Sequence, residues 1–177
     1  MKITALCAFA LPFLASACCV TESKEVRQMI SAGDAQHREW LFAPLGALEG
    51  RWVGQDPSGA EQVVEFRVSS GGSAVREVMF PGSEHEMTNM YTLDGDSVVM
   101  THYCAQGNQP HLRGNMQQEG RMVFETEVIG DLKATDEMYM GKMTLVFVDA
   151  DHIEEHWTAL RGDKVDHEMV FKLTRVK

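Results

Sequence analysis

The spacing of apolar and polar residues changes character near Gly50. Upstream, Thr21 to His37 is polar, with Val26, Met29 and Ile30 at helical spacing, so it reads as a short helix or a solvated spacer. Trp40-Leu41-Phe42-Ala43-Pro44-Leu45 then forms an apolar patch stopped by Pro44, read as a helical turn that plugs one end of the domain downstream. Beyond Gly50 the period is two. Val64, Phe66 and Val68 alternate with Glu65, Arg67 and Ser69, the pattern of a half-buried strand.

Turn signals divide the remainder at short intervals. Ser70-Gly71-Gly72, Pro81-Gly82 and Asp94-Gly95 separate strands over 74–80, 85–93 and 97–104. A loop through Gly107-Asn108-Gln109-Pro110 leads to shorter strands around 112–116 and 122–128. Strands over 138–148, 153–159 and 165–176 complete the chain. With no helical pattern between them, these segments predict an all-β domain: a single antiparallel up-and-down β-barrel of about nine or ten strands with a short N-terminal helical cap.

Gly50-Arg51-Trp52, on the first strand after a helical turn, resembles the opening of lipocalins and the wider calycin group. The lead-in through Trp40-Leu41, Leu45-Gly46 and Gly50-Arg51-Trp52 is also similar to bacterial calycin-like families of unknown function. The resemblance implies that a late arginine packs over the tryptophan, and Arg175 on the last strand is the matching residue. It bears on fold more than on activity.

Register follows from the Asp94-Gly95 hairpin. A two-residue loop there pairs Leu93 with Asp96, which sets Tyr91 opposite Val98, Asn89 opposite Met100, Met87 opposite His102 and His85 opposite Cys104. This face is the more apolar and points inward, yet it gathers two His, a Cys, an Asn and two Met. A fully packed barrel would favour Val, Ile and Leu there, because each buried polar group needs a partner. Polar groups converging between apolar walls are also how ligand cavities are built. The plainer alternative is a solvated rim His85, a hydrogen-bonded core His102 and space-filling methionines.

On the last strand, Val165, His167, Met169, Phe171 and Leu173 alternate with polar positions, so His167 points inward. If Leu160-Arg161-Gly162 is a three-residue loop, Ile153, Glu155 and Trp157 point in and Glu155 faces His167. If Gly162-Asp163 is a two-residue turn, Glu154 and His156 point in instead. Burial of the tryptophan favours the first. An inward Glu beside an inward His is more often a satisfied pair than a catalytic one.

The N-terminus has the pattern of an export signal. Met1-Lys2 is a short positive region, Ile3 to Leu14 is apolar except at Thr4 and Pro12, and Ala15-Ser16-Ala17 offers a small-residue cleavage site. The apolar run is shorter than the roughly 20 residues of a spanning helix. Leu14-Ala15-Ser16-Ala17-Cys18 resembles the lipobox of bacterial lipoproteins, with the usual Leu position held by Ala15. The expected organisation is a signal peptide over 1–17, a tether or short helix over 18–38 and the barrel over 39–177. Cys18 is the expected lipidation site, which anchors the protein to a membrane on the periplasmic side or at the outer membrane. Cys7 leaves with the leader, and Cys19 and Cys104 then remain as thiols with no disulfide framework.

The net charge is −10, and −11 once the leader's single charge, Lys2, is removed. A phosphate backbone would be repelled, which excludes nucleic acid as a natural partner. Nucleophile-elbow, phosphate-loop, dinucleotide and metalloprotease motifs are all missing. His152 and His156 have chelating spacing only on a helix, and in an extended strand they stand about 13 Å apart. The expected function is therefore binding, without catalysis, of a small and partly apolar ligand. The interior candidates are His85, Met87, Asn89, Tyr91, Met100, His102, Cys104, Glu155 and His167. One alternative is a haem or metal site using His102 with His85 or Cys104. A structural envelope lipoprotein is another, and acid–base catalysis by Glu155 and His167 ranks last. The sequence names no cofactor.

Overall fold

The computed structural model describes residues 33–56, 58–118 and 120–177. Among the described residues one α-helix, α1 (Ala35–Gly46), precedes ten strands: β1 (Gly50–Gln55), β2 (Glu61–Ser69), β3 (Ala74–Met79), β4 (Met87–Asp94), β5 (Ser97–Tyr103), β6 (Gln109–Gln118), β7 (Arg121–Gly130), β8 (Met138–Phe147), β9 (His152–Arg161) and β10 (Lys164–Arg175). Each strand pairs antiparallel with the next. Pairing of Trp52 with Arg175 and Val53 with Thr174 closes β1 onto β10, so the sheet is a complete up-and-down barrel with no free edge.

The helix is longer than the expected turn. It starts at Ala35, where the Asp34 side chain accepts the Gln36 N–H, and it runs through Pro44 to Gly46. Proline removes one ladder bond, but in the last turn that loss is small, and Ala47 N–H still reaches Ala43 O at 3.0 Å. Leu41 and Leu45 are buried and, with Leu48 just beyond the helix, plug the barrel floor. Arg38 donates to Gly95 O at 2.6 Å, tying the helix to the β4–β5 turn.

Two glycines make room for large side chains to lie across the wall, Gly114 on its inner surface and Gly141 on its outer one. A Cβ on Gly114 would stand 2.4 Å from the Phe124 ring, and one on Gly141 would stand 2.3 Å from Leu160. Phe124 can therefore lie flat across β6 and contact Tyr91, with ring centroids 5.7 Å apart.

Both expected hairpin registers need correction. In the β4–β5 hairpin the loop is Gly95-Asp96, with Asp94 opposite Ser97 and Leu93 opposite Val98. Gly95 alone takes a positive φ, 60°, as suits the first position of a type II′ loop. The partner strand is displaced by two residues, so every side chain keeps its face but changes its neighbour. Tyr91 opposes Met100 and Asn89 opposes His102, in place of the expected Val98 and Met100.

At β9–β10 the turn is Gly162-Asp163, not the expected three-residue loop. The ladder then shifts between Val165 and His167, leaving Asp166 as an extra residue. This bulge restores the burial phase, so Ile153, Glu155 and Trp157 do point inward. Glu155 faces Phe171 and not His167, and His167 faces Ala159. The two-residue turn and the burial of the tryptophan are both satisfied, because the bulge absorbs the conflict between them.

Candidate functional site

The end of the barrel opposite α1 is open. A cavity of about 890 Å³ enters there, with walls that include Met79, Phe80, Met87, Met138, Met140 and Phe171. His102 and Trp157 form part of its deep surface, their ring centroids 5.0 Å apart. Its volume is in the range of sites that take small organic molecules, and its lining is mostly apolar.

Phe80 guards the mouth in a conformation that bulky residues rarely adopt, with φ at +54°. Its ring lies 5.8 Å from that of Phe171 across the entrance. Phe80 N–H donates to Val63 O at 2.8 Å, which helps hold the strained backbone in place.

Beneath the cavity lies a chain of buried polar groups. Glu77 on β3 is completely buried and accepts at Oε2 from Tyr91 O–H (2.5 Å) and from Asn89 Nδ2 (2.8 Å). That second bond orients the Asn89 amide, so its Oδ1 faces His102 Nδ1 at 2.6 Å. The Nδ1 atom must then carry the imidazole proton, which leaves Nε2 as a bare lone pair. His102 is 1% exposed, and Nε2 has no partner among the described residues. Burial pulls its pKa down to about 4, so the ring is neutral at physiological pH.

Glu155 reaches the same network from β9, across the barrel. Its Oε2 accepts from Trp157 Nε1 at 3.1 Å. Glu77 and Glu155 are in hydrogen-bonding reach of each other, and each retains Oε1 with no other partner. Burial raises both carboxyls above their ordinary range, Glu155 the further, because the Glu77 charge adds to its desolvation. Tyr91 and Asn89 oppose the rise at Glu77 by donating to it. The pair therefore favours holding a proton over carrying two buried charges, and its titration belongs to both carboxyls together.

The nine residues singled out from sequence fall into three groups. Met87, His102, Cys104, His85 and His167 border the cavity, with His85 and His167 exposed at its rim. Asn89, Tyr91 and Glu155 lie in the buried network, and Met100 belongs to the packed core. Cys104 sits one residue beyond β5, and partial burial pushes its thiol pKa up. His167 is engaged by Asp166 at 2.8 Å. The acid–base pairing of Glu155 with His167 is not formed, because one lies in the core and the other at the rim. His152 and His156 both point away from the interior and bind Asp149 and Glu154. Among the described residues, no three His, Cys, Asp or Glu side chains gather to hold a metal ion.

Glu77 was missed from sequence. A single Glu between Val75 and Met79 in an alternating strand stands in phase with buried positions, and that phase was the available signal. Its partner Glu155 lies far along the chain, so no local pattern joins them.

The fold and site together define a closed ten-stranded antiparallel barrel with one plugged end and one open, apolar cavity. The architecture is compatible with a calycin-like barrel. No known family model matches the chain, and no curated protein matches it.

Proposed function

We propose that this protein binds a small, largely apolar molecule in the open end of the barrel and does not transform it. The observation that carries the reading is the bare Nε2 of His102, a buried polar atom without a partner beside a methionine- and aromatic-lined cavity. Leaving such an atom unpaired costs about 1–3 kcal/mol, and an occupant that meets it recovers much of that cost. The methionines suit a binding wall, since their unbranched, polarisable side chains adapt to varied shapes.

The export pattern and Cys18 lie outside the described residues, and placement of the barrel at a bacterial envelope through a lipid on Cys18 is part of the same proposal. Among the described residues no helix is long and apolar enough to cross a membrane. A structural envelope lipoprotein would need neither the cavity nor the unpaired nitrogen.

The test uses N-phenyl-1-naphthylamine, a neutral apolar fluorophore. Its emission should rise on binding, with energy transfer from Trp157, and Met140→Trp should fill the cavity and abolish both signals. Unchanged binding in Met140→Trp would refute the cavity as the site.

A second reading rests on the same nitrogen. With Nδ1–H held by Asn89, His102 would be the residue to hold haem iron, through its Nε2 lone pair. Titration with hemin tests this: a Soret shift lost in His102→Phe supports it, and a shift retained in that variant rejects it.

A further inference from the structure

Resting on the cavity-binding reading above, we infer that the occupant carries a neutral hydrogen-bond donor, an O–H or N–H, at its buried end, and that carboxylates and phosphates are excluded. The N–H and O–H donors of Tyr91, Asn89, Trp157 and His102 are all engaged within the buried network. Tyr91 O–H and Asn89 Nδ2 both donate to Glu77. Trp157 Nε1 donates to Glu155, and the Nδ1 proton of His102 goes to Asn89 Oδ1. Glu77 and Glu155 lie within reach of each other, and neither is part of the cavity lining. Of the buried acceptors left without a partner among the described residues, only His102 Nε2 belongs to a side chain that lines the cavity. The network is short of donors, and at His102 an occupant of the cavity has to bring one.

Charge points the same way. Among the described residues lining the cavity there is no Lys or Arg. A carboxylate or phosphate entering head first would meet a lone pair with the Glu77–Glu155 pair behind it, and nothing there would compensate its desolvation. An ether or ester would set acceptor against acceptor. An alcohol, an amide N–H or an indole N–H complements the site, and the hydrocarbon wall accommodates the rest of the molecule.

Three ligands with the same eight-carbon chain separate these cases: 1-octanol, octyl methyl ether and octanoate. They are titrated calorimetrically into the full chain at pH 8, where octanoate is ionised. Octanol should bind about tenfold more tightly than the ether, the ratio that corresponds to one buried hydrogen bond of roughly 1.4 kcal/mol. Octanoate should bind more weakly than either. In His102→Phe, which keeps a flat ring but removes the acceptor, octanol and the ether should bind alike. The wild-type comparison stands by itself if that variant does not fold. Equal affinities for octanol and ether, with both lost in Met140→Trp, would overturn the donor inference and leave the cavity reading intact. Tighter binding of octanoate would also overturn it. Failure of all three ligands to bind would overturn the inference together with the reading it rests on.

Discussion

At the closed end of the barrel Trp52 is wholly buried, its indole N–H donates to Leu48 O at 2.8 Å, and the Arg175 guanidinium lies 4.2 Å above the ring. The same guanidinium donates to Ala47 O, Glu49 O and Ala150 O, so one side chain ties the helix exit to the β8–β9 loop. At the open end the comparable deep position is His102, also buried and beside a tryptophan, yet with one nitrogen unpaired. Phe80 there holds a strained backbone, and Val165 is 61% exposed at the rim. Two ends of one barrel, built from the same alternating strands, thus differ in whether the polar groups are closed off. The plugged end is organised for stability. The open end gives some stability up, as sites commonly do.

The largest effect should come from the closed end. Trp52→Ala removes a large buried aromatic and leaves Arg175 without its platform, and it should cost about 3–5 kcal/mol in denaturant unfolding. A loss under about 1 kcal/mol, the size of an ordinary surface change, would mean that the two ends do not differ as described.

The titrations of the deep groups sharpen the contrast because they oppose each other. His102 is held near a pKa of about 4 against an ordinary 6.5, so the unfolded chain takes up a proton first as pH falls. Its contribution is complete above pH 6.5 and is lost down to about pH 4, on the order of 3 kcal/mol. In His102→Phe that part of the pH slope should vanish. The carboxyl pair has the reverse sign. Raised above the ordinary 4.5, it favours the fold fully below that pH and loses its contribution as pH rises through the folded values. Glu155→Gln removes one titrating group from the buried pair, and it should raise stability at pH 8. Little change is expected at pH 4. Urea unfolding at the two pH values measures both.

Smaller effects belong to the wall and surface. Gly114→Ala drives a Cβ into the Phe124 ring and should cost roughly 1–3 kcal/mol at thermal unfolding. Arg51→Ala breaks an exposed 2.9 Å pair with Glu65 on the outer wall and should cost less than about 1 kcal/mol. A larger loss there would place stability outside the core interactions.

How legible this was from sequence depends on the kind of information required. Alternation assigned the inward face of the β4–β5 hairpin correctly, and a two-residue slip could not disturb it, since side chains repeat every two residues. The slip did change neighbours, which hid the Asn89–His102 bond. Turn type alone would have sent Trp157 outward, and the apolar mass of that residue was the better guide, with the Asp166 bulge reconciling the two. The resemblance at Gly50-Arg51-Trp52 anticipated Arg175 over Trp52, because that contact needs only the first and last strands to close. The carboxyl pair was not legible. Glu77 and Glu155 meet across the lumen, through barrel closure and not through any spacing along the chain.

The most direct test of the unpaired acceptor at the open end is the tautomeric state of His102 in the free protein, read from imidazole nitrogen chemical shifts in ¹⁵N-labelled chain at pH 6. The predicted result is a neutral ring with the proton on Nδ1 and an unprotonated Nε2. A proton on Nε2, or a ring already half-protonated at that pH, would contradict it.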